Sequence, residues 1–134
     1  MLWFKKESMA KRKKENENIA LLKAIIDGLE EKKGHNIVVL DFVGFTQAVC
    51  DYFVICHSTS KVQAQALSES VEEIVKKTTG IRVSRREGVQ NAEWILLDYF
   101  NIVVHIFIEE KRDFYKLEQL WADAKISSAS EFLN

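Results

Sequence analysis

Two runs of the chain, Asn36–Phe42 (NIVVLDF) and Asp51–Cys56 (DYFVIC), stay apolar along most of their length instead of alternating with polar residues. A strand of that kind is buried on both faces, so its sheet needs a covering layer above and below. The layers are available in the neighbouring segments. Ile19, Leu22, Ile25, Ile26 and Leu29 recur at helical spacing, with Asn16 or Asn18 as caps and Gly34 just past the end. After the second run, HSTS (57–60) offers Ser58 or Ser60 as an N-cap for a helix carrying Val62, Leu67, Val71, Ile74 and Val75 and stopping near Gly80.

The last third changes period. Ile81–Arg85 reads as a modest strand and Gly88–Asn91 as a turn. Trp94–Tyr99 (WILLDY) and Ile102–Ile108 (IVVHIFI) read as strong strands joined by a tight hairpin at Phe100 and Asn101. Phe114, Leu117, Leu120, Trp121 and Ala124 predict a further helix, whereas Ile126–Asn134 lacks periodicity and is expected to fray. The sum is one α/β domain with a mixed sheet of about five strands and about three helices.

At 134 residues there is room for one such core. The charge is nearly balanced, 19 Lys and Arg against 20 Asp and Glu, but unevenly placed. Residues 1–18 carry a net +3 and the rest a net −4. Residues 1–17 are expected to form a basic, flexible arm, 18–125 the domain and 126–134 a tail. Such an arm is more often solvated than specific, though it suits unspecific contact with RNA. The apolar start Met1–Phe4 is too short for a secretion signal, and the apolar runs are too short to span a bilayer, so a cytoplasmic protein without a membrane partner is expected. Cys50 and Cys56 lack metal-site spacing and read as buried free thiols.

Catalytic constellations are weakly represented. Ser58, Asp98 and His105 supply the residue types of a triad, yet no GxSxG elbow is present. The Ser58–Ser60 turn between strand and helix could hold a nucleotide phosphate, as in nucleotidyltransferases. Metal-assisted phosphoryl chemistry needs paired carboxylates, however, and the neighbours of Asp98 two residues away are Leu96 and Phe100, while Asp41 and Asp51 stand alone. With no phosphate-loop motif either, neither catalytic residues nor a metal or cofactor are expected. More informative is a set of aromatics, Trp94, Tyr99, Phe107, Phe114, Tyr115 and Trp121, interleaved with Glu109, Glu110, Arg112 and Glu118. A core this small also has five strands of aliphatic residues to bury, so part of the set should form a protein-binding surface. Trp121 is expected to close the core. Alternation places His105 on the side of Val103 and Phe107.

The blocks VVLDF (38–42), DYFVICHSTS (51–60), REGVQNAEWILLDYFNIVVHIF (86–107) and RDFYKLEQLWADA (112–124) closely resemble the ribosomal silencing factor family, also called Iojap-like, over roughly Asn18–Ala124. The resemblance implies a nucleotidyltransferase-like α/β fold without catalytic carboxylates. It also implies a non-enzymatic translation repressor that binds the large ribosomal subunit through its fourteenth protein, a small β-barrel at the subunit interface. Such a factor blocks subunit joining sterically under nutrient limitation. Positions matching the family and assigned to the contact patch are Trp94, Asp98, Tyr99, His105, Arg112 and Tyr115, with Glu87 and Glu118 as partners for basic residues. The alternatives are a nucleotidyltransferase-like enzyme using Ser58–Ser60 and a factor in large-subunit assembly. A homodimer of the free protein through the hairpin and its aromatics is a further expectation. The family usually carries Gly and Asp where this chain has Phe100 and Asn101, and a Gly close to His57, which implies a different hairpin turn or contact surface.

Overall fold

The structure, a computed structural model, describes residues 2–133. The side chains of the first eight residues, with Lys5, Lys6 and Glu7 of the basic stretch, lie outside that description. The elements run α1 (Leu2–Glu31), β1 (His35–Asp41), β2 (Tyr52–Ser58), α2 (Lys61–Thr79), β3 (Arg85–Glu87), β4 (Trp94–Asp98), β5 (Ile102–Ile108), α3 (Glu109–Tyr115), α4 (Leu117–Leu120), β6 (Lys125–Ser128) and α5 (Ala129–Leu133). They build one mixed sheet of six strands in the order β3-β4-β5-β2-β1-β6. The central β2–β5 pair is parallel and the other neighbours are antiparallel.

Both layers demanded by the apolar strands are present. On one face α1 (Leu22, Ile25, Ile26, Leu29) and α2 (Leu67, Val71, Val75) bury Val39, Val54, Cys56, Ile95, Leu97, Val104 and Ile106. The two helices meet closely at Gly28, where a Cβ would lie 2.7 Å from the Val71 Cα, and the Ser70 hydroxyl donates to the Gly28 carbonyl at 2.8 Å. On the other face Leu40, Phe42, Phe53, Ile55 and Phe107 pack beneath Leu117 and Ala124. Trp121 closes that cluster edge-on to Phe42 and Phe53, as the sequence suggests. Burial pushes the free thiols up, Cys50 to about 11 and Cys56 to about 12.

Several expectations change. The basic stretch is not a loose arm: α1 starts at Leu2, not near Asn18. At its other end the left-handed residue is Lys33 (φ 60°), and Gly34 N–H closes the turn on the Leu29 carbonyl at 2.8 Å. Gly34 is small for packing instead, since a Cβ there would press on Leu67 and the Cys56 sulfur. The segment expected to fray forms β6, which pairs with β1, and α5, capped by the Ser128 hydroxyl accepting from Glu131 N–H at 3.2 Å. The third strand is Arg85–Glu87, set by its ladder with β4, not Ile81–Arg85. The predicted last helix breaks at Lys116 (φ 49°), which resets the phase and leaves Phe114 and Leu120 outside. Phe100 adopts φ 68°, so the hairpin keeps a left-handed turn residue and Phe bears its cost.

Candidate functional site

Cross-strand partners share a sheet face, so the register fixes what lies beside Trp94. Trp94 pairs with Phe107, Leu96 with His105 and with Glu87, and Asp98 with Val103 and with Arg85. These residues occupy the face opposite α1 and α2. Over β2 and β1 that face is covered by Trp121 and Leu117. Over β5, β4 and β3, Trp94, Leu96, Asp98 and Val103 remain half-exposed, with Glu87 and Arg85 fully outside.

Trp94 is held from below and flanked from the side. Its indole N–H donates to His105 Nδ1 at 3.1 Å, and its ring stacks on Phe107 with centroids 4.9 Å apart. Tyr115 tilts against it at 4.7 Å, and Phe114 meets Tyr115 edge-on at 5.1 Å. Exposure rises along this ladder: His105 and Phe107 are buried, Tyr115 is 44% exposed and Phe114 75%. The result is an aromatic ridge whose base is immobilised and whose crest is in solvent. Charges rim it: Glu93 sits between Lys61 and Lys111, each at 3.7 Å, and Arg85 bridges Glu87 at 3.4 Å. Asp98 also has a local duty, its carboxylate accepting from Phe100 N–H at 2.8 Å to hold the hairpin.

His105 is neutral at ordinary pH, because burial pushes its imidazole down to about 4. With Nδ1 accepting from Trp94, the proton belongs on Nε2, which is buried without a hydrogen-bond partner; the His105 ring lies among aromatic rings, its centroid 4.5 Å from that of Phe53.

Of the eight positions the sequence pointed to, the structure gathers five on this face: Trp94, Tyr115, Asp98 and Glu87 at the surface, with His105 beneath. Tyr99 is not among them. It turns into the α1/α2 core with its hydroxyl buried, because WILLDY alternates and Tyr99 shares the parity of Ile95 and Leu97. Arg112 is also interior: Nη1 donates to the Asn36 carbonyl at 2.8 Å, the His35 carbonyl at 3.3 Å and His57 Nδ1 at 2.9 Å, while Nε pairs with Glu118 at 3.1 Å. Arg112 and Glu118 therefore tie α3 and α4 to the sheet and do not face outward. Burial and this guanidinium push the His57 imidazole down, which keeps Nδ1 available as an acceptor. Leu96, Val103 and the crest position of Phe114 were not singled out for the patch. Parity with Trp94 was the available signal for Leu96; the break at Lys116 hid Phe114.

The serine turn is occupied by structural bonds. Ser58 Oγ donates to the Ser60 carbonyl at 2.8 Å, and Ser60 Oγ accepts from Gln63 N–H at 3.0 Å as the α2 cap. Among the described residues no group of three His, Cys, Asp or Glu comes together to hold a metal ion, and no helix is long and apolar enough to cross a membrane.

Fold and site together define a small mixed α/β domain with one sheet face sealed by helices and the other carrying a half-open aromatic ridge. Residues 14–133 match the family model described as ribosomal silencing factor during starvation. The chain belongs to the ribosomal silencing factor family. It is 36% identical over 107 residues to the ribosomal silencing factor of Halalkalibacterium halodurans, covering 80% of this chain and 90% of that one. The Bacillus subtilis ribosomal silencing factor is 35% identical over 115 residues, 86% of this chain and 96% of that one. A crystal structure of protein CV0518 from Chromobacterium violaceum is similar with a TM-score of 0.71 at 33% identity, covering 81% of this chain and 89% of that chain.

Proposed function

We propose that this protein is a non-catalytic silencer that docks its aromatic ridge on the large ribosomal subunit, at the fourteenth protein, and thereby blocks the small subunit from joining. The observation that carries this is the ridge itself: Trp94 and Tyr115 present large apolar area on a rigid base, the kind of group that dominates protein interfaces. The charge supports a basic partner. Residues 19–134 hold 13 basic and 17 acidic side chains, which favours encounter with a basic ribosomal protein. Contact of the basic stretch with ribosomal RNA, and self-association through the same ridge when no ribosome is present, belong to this reading.

Purified protein is expected to co-sediment with large subunits on a gradient and to reduce their joining with small subunits. Trp94→Ala removes the centre of the ridge and is expected to weaken the association by about 1 to 2 kcal/mol or more, roughly 10-fold. Binding by the Trp94→Ala protein at wild-type strength would remove the ridge from the interface; absence of binding by the wild type would overturn the function.

A further inference from the structure

Residues 9–17 of α1 are exposed at every position, the first burial coming at Asn18. Nine consecutive exposed residues make about two and a half turns, and along one side Lys11, Lys14 and Glu15 border an open groove with Val43, Asp51 and Tyr52. Asn18 is where the helix is fastened: its amide donates to the Asp51 carboxylate at 2.8 Å and accepts from the Asn101 amide at 3.2 Å. From there back to Met9 the helix is exposed along about 14 Å. Lys11, Arg12, Lys13 and Lys14 sit in sequence on this rod. At about 100° per residue, four successive cations point in four directions.

Neither stability nor the fold explains the arrangement. More than two turns inside α1 these cations gain nothing from the helix ends, and the order Lys11 to Glu15 and Lys13 to Glu17 is the weaker orientation of an i,i+4 pair. The family match begins at residue 14, so Lys11, Arg12 and Lys13 precede it. A rod with exposed cations beside an acidic body complements a polyanion that approaches from its outer sides. Anionic membrane fits poorly, because a membrane-surface helix needs an apolar stripe opposite its charges, and the only apolar residues between 9 and 17 are the adjacent Met9 and Ala10.

We infer that the exposed stretch 9–17 of α1 is a binding element for folded, double-helical RNA, engaging phosphates through Lys11, Arg12, Lys13 and Lys14 without reading sequence. The inference rests on the ribosomal reading only for which RNA is met; contact with a duplex does not depend on the aromatic ridge. In this division of labour the ridge selects a site and the rod adds a salt-sensitive hold beside it.

The test is fluorescence anisotropy of the full-length protein with a labelled RNA duplex, across a salt series. Two to four phosphate contacts predict a fall in affinity of roughly 10- to 150-fold between about 50 and 200 mM salt. The variant Lys11→Gln, Arg12→Gln, Lys13→Gln, Lys14→Gln keeps good helix formers at exposed positions and should melt like the wild type. It is expected to lose most of the duplex affinity and most of the salt slope, whereas Trp94→Ala should leave both unchanged. Equal duplex binding by wild type and the four-fold variant, no duplex binding at low salt, or tighter binding to vesicles of anionic phospholipid than to the duplex would overturn the inference. Co-sedimentation with large subunits separates the two proposals: if it persists while duplex binding fails, the rod falls and the ridge stands, and the reverse outcome condemns the ridge alone.

Discussion

The Trp94–His105 pair shows how one buried side chain sets the chemistry of an exposed one. His105 lies at the bottom of the ridge, and its Nδ1 takes the indole proton only while the ring is neutral. Burial holds the folded-state imidazole at about 4 against an ordinary 6.5, so between those values the unfolded chain binds the extra proton and the folded protein does not. The stability from this group is therefore complete above pH 6.5 and drains away as pH falls toward 4, by about 3 kcal/mol over the whole range. His57 is lowered as well and acts in the same direction. His105→Phe costs the indole its acceptor, about 1 kcal/mol near neutrality, yet it removes the titration. Melting temperatures of wild type and variant should thus cross as the buffer is taken from pH 7 to 4, the variant ending the more stable by about 2 kcal/mol. Parallel curves would show that His105 does not carry the acid sensitivity. His105 could be assigned to the side of Val103 and Phe107 by alternation, but which side was covered could not, because that depends on where Trp121 and α3 arrive from far along the chain.

At the scale of elements, most strands and both long helices were legible, since their apolar periods extend over five or more residues. What escaped were elements whose existence depends on a partner. β6 is a four-residue strand with no usable pattern, made by the free edge of β1. The division of α3 from α4 at Lys116 replaces one apparent helix with two and turns Phe114 outward. Arg112 was read as an interface residue for the same reason: nothing local reveals that β1 is irregular between His35 and Val38, with Asn36 at φ 50°. The carbonyls of His35 and Asn36 at this irregularity are the ones that accept from the guanidinium. Arg112→Ala would leave these carbonyls, His57 and Glu118 without their donor and remove a buried side chain, a loss of about 1 to 3 kcal/mol. Arg112→Lys should restore only part of it, because an ammonium cannot serve carbonyls, imidazole and carboxylate together in the fork geometry. Urea midpoints of the three proteins check this. A variant as stable as the wild type would mean that Arg112 is dispensable to the fold and free for another role.

For the molecule as a whole, the order β3-β4-β5-β2-β1-β6 places the earliest strand next to the last one, a pairing across more than eighty residues that no local pattern encodes. The two-layer requirement of the apolar strands did anticipate a mixed α/β sheet, and uneven charge anticipated a basic beginning, though not that it would be a helix. The sheet's closing edge has a function of its own. β6 covers β1 from Val38 to Asp41, and α5 behind it buries Ala129 and sets Phe132 edge-on to Tyr52 at 5.6 Å. Ending the chain after Ala124 would strip this cover, cost about 2 kcal/mol of apolar burial and expose the backbone donors and acceptors of a hydrophobic strand. Such an edge pairs with whatever strand it meets, and the commonest strand in solution is another copy of itself. The shortened protein should therefore melt at a lower temperature and show a scattering mass that grows with concentration, even when Trp94→Ala has disabled the ridge. A shortened protein that stays monomeric and melts with the wild type would show that β1 is protected by something other than β6.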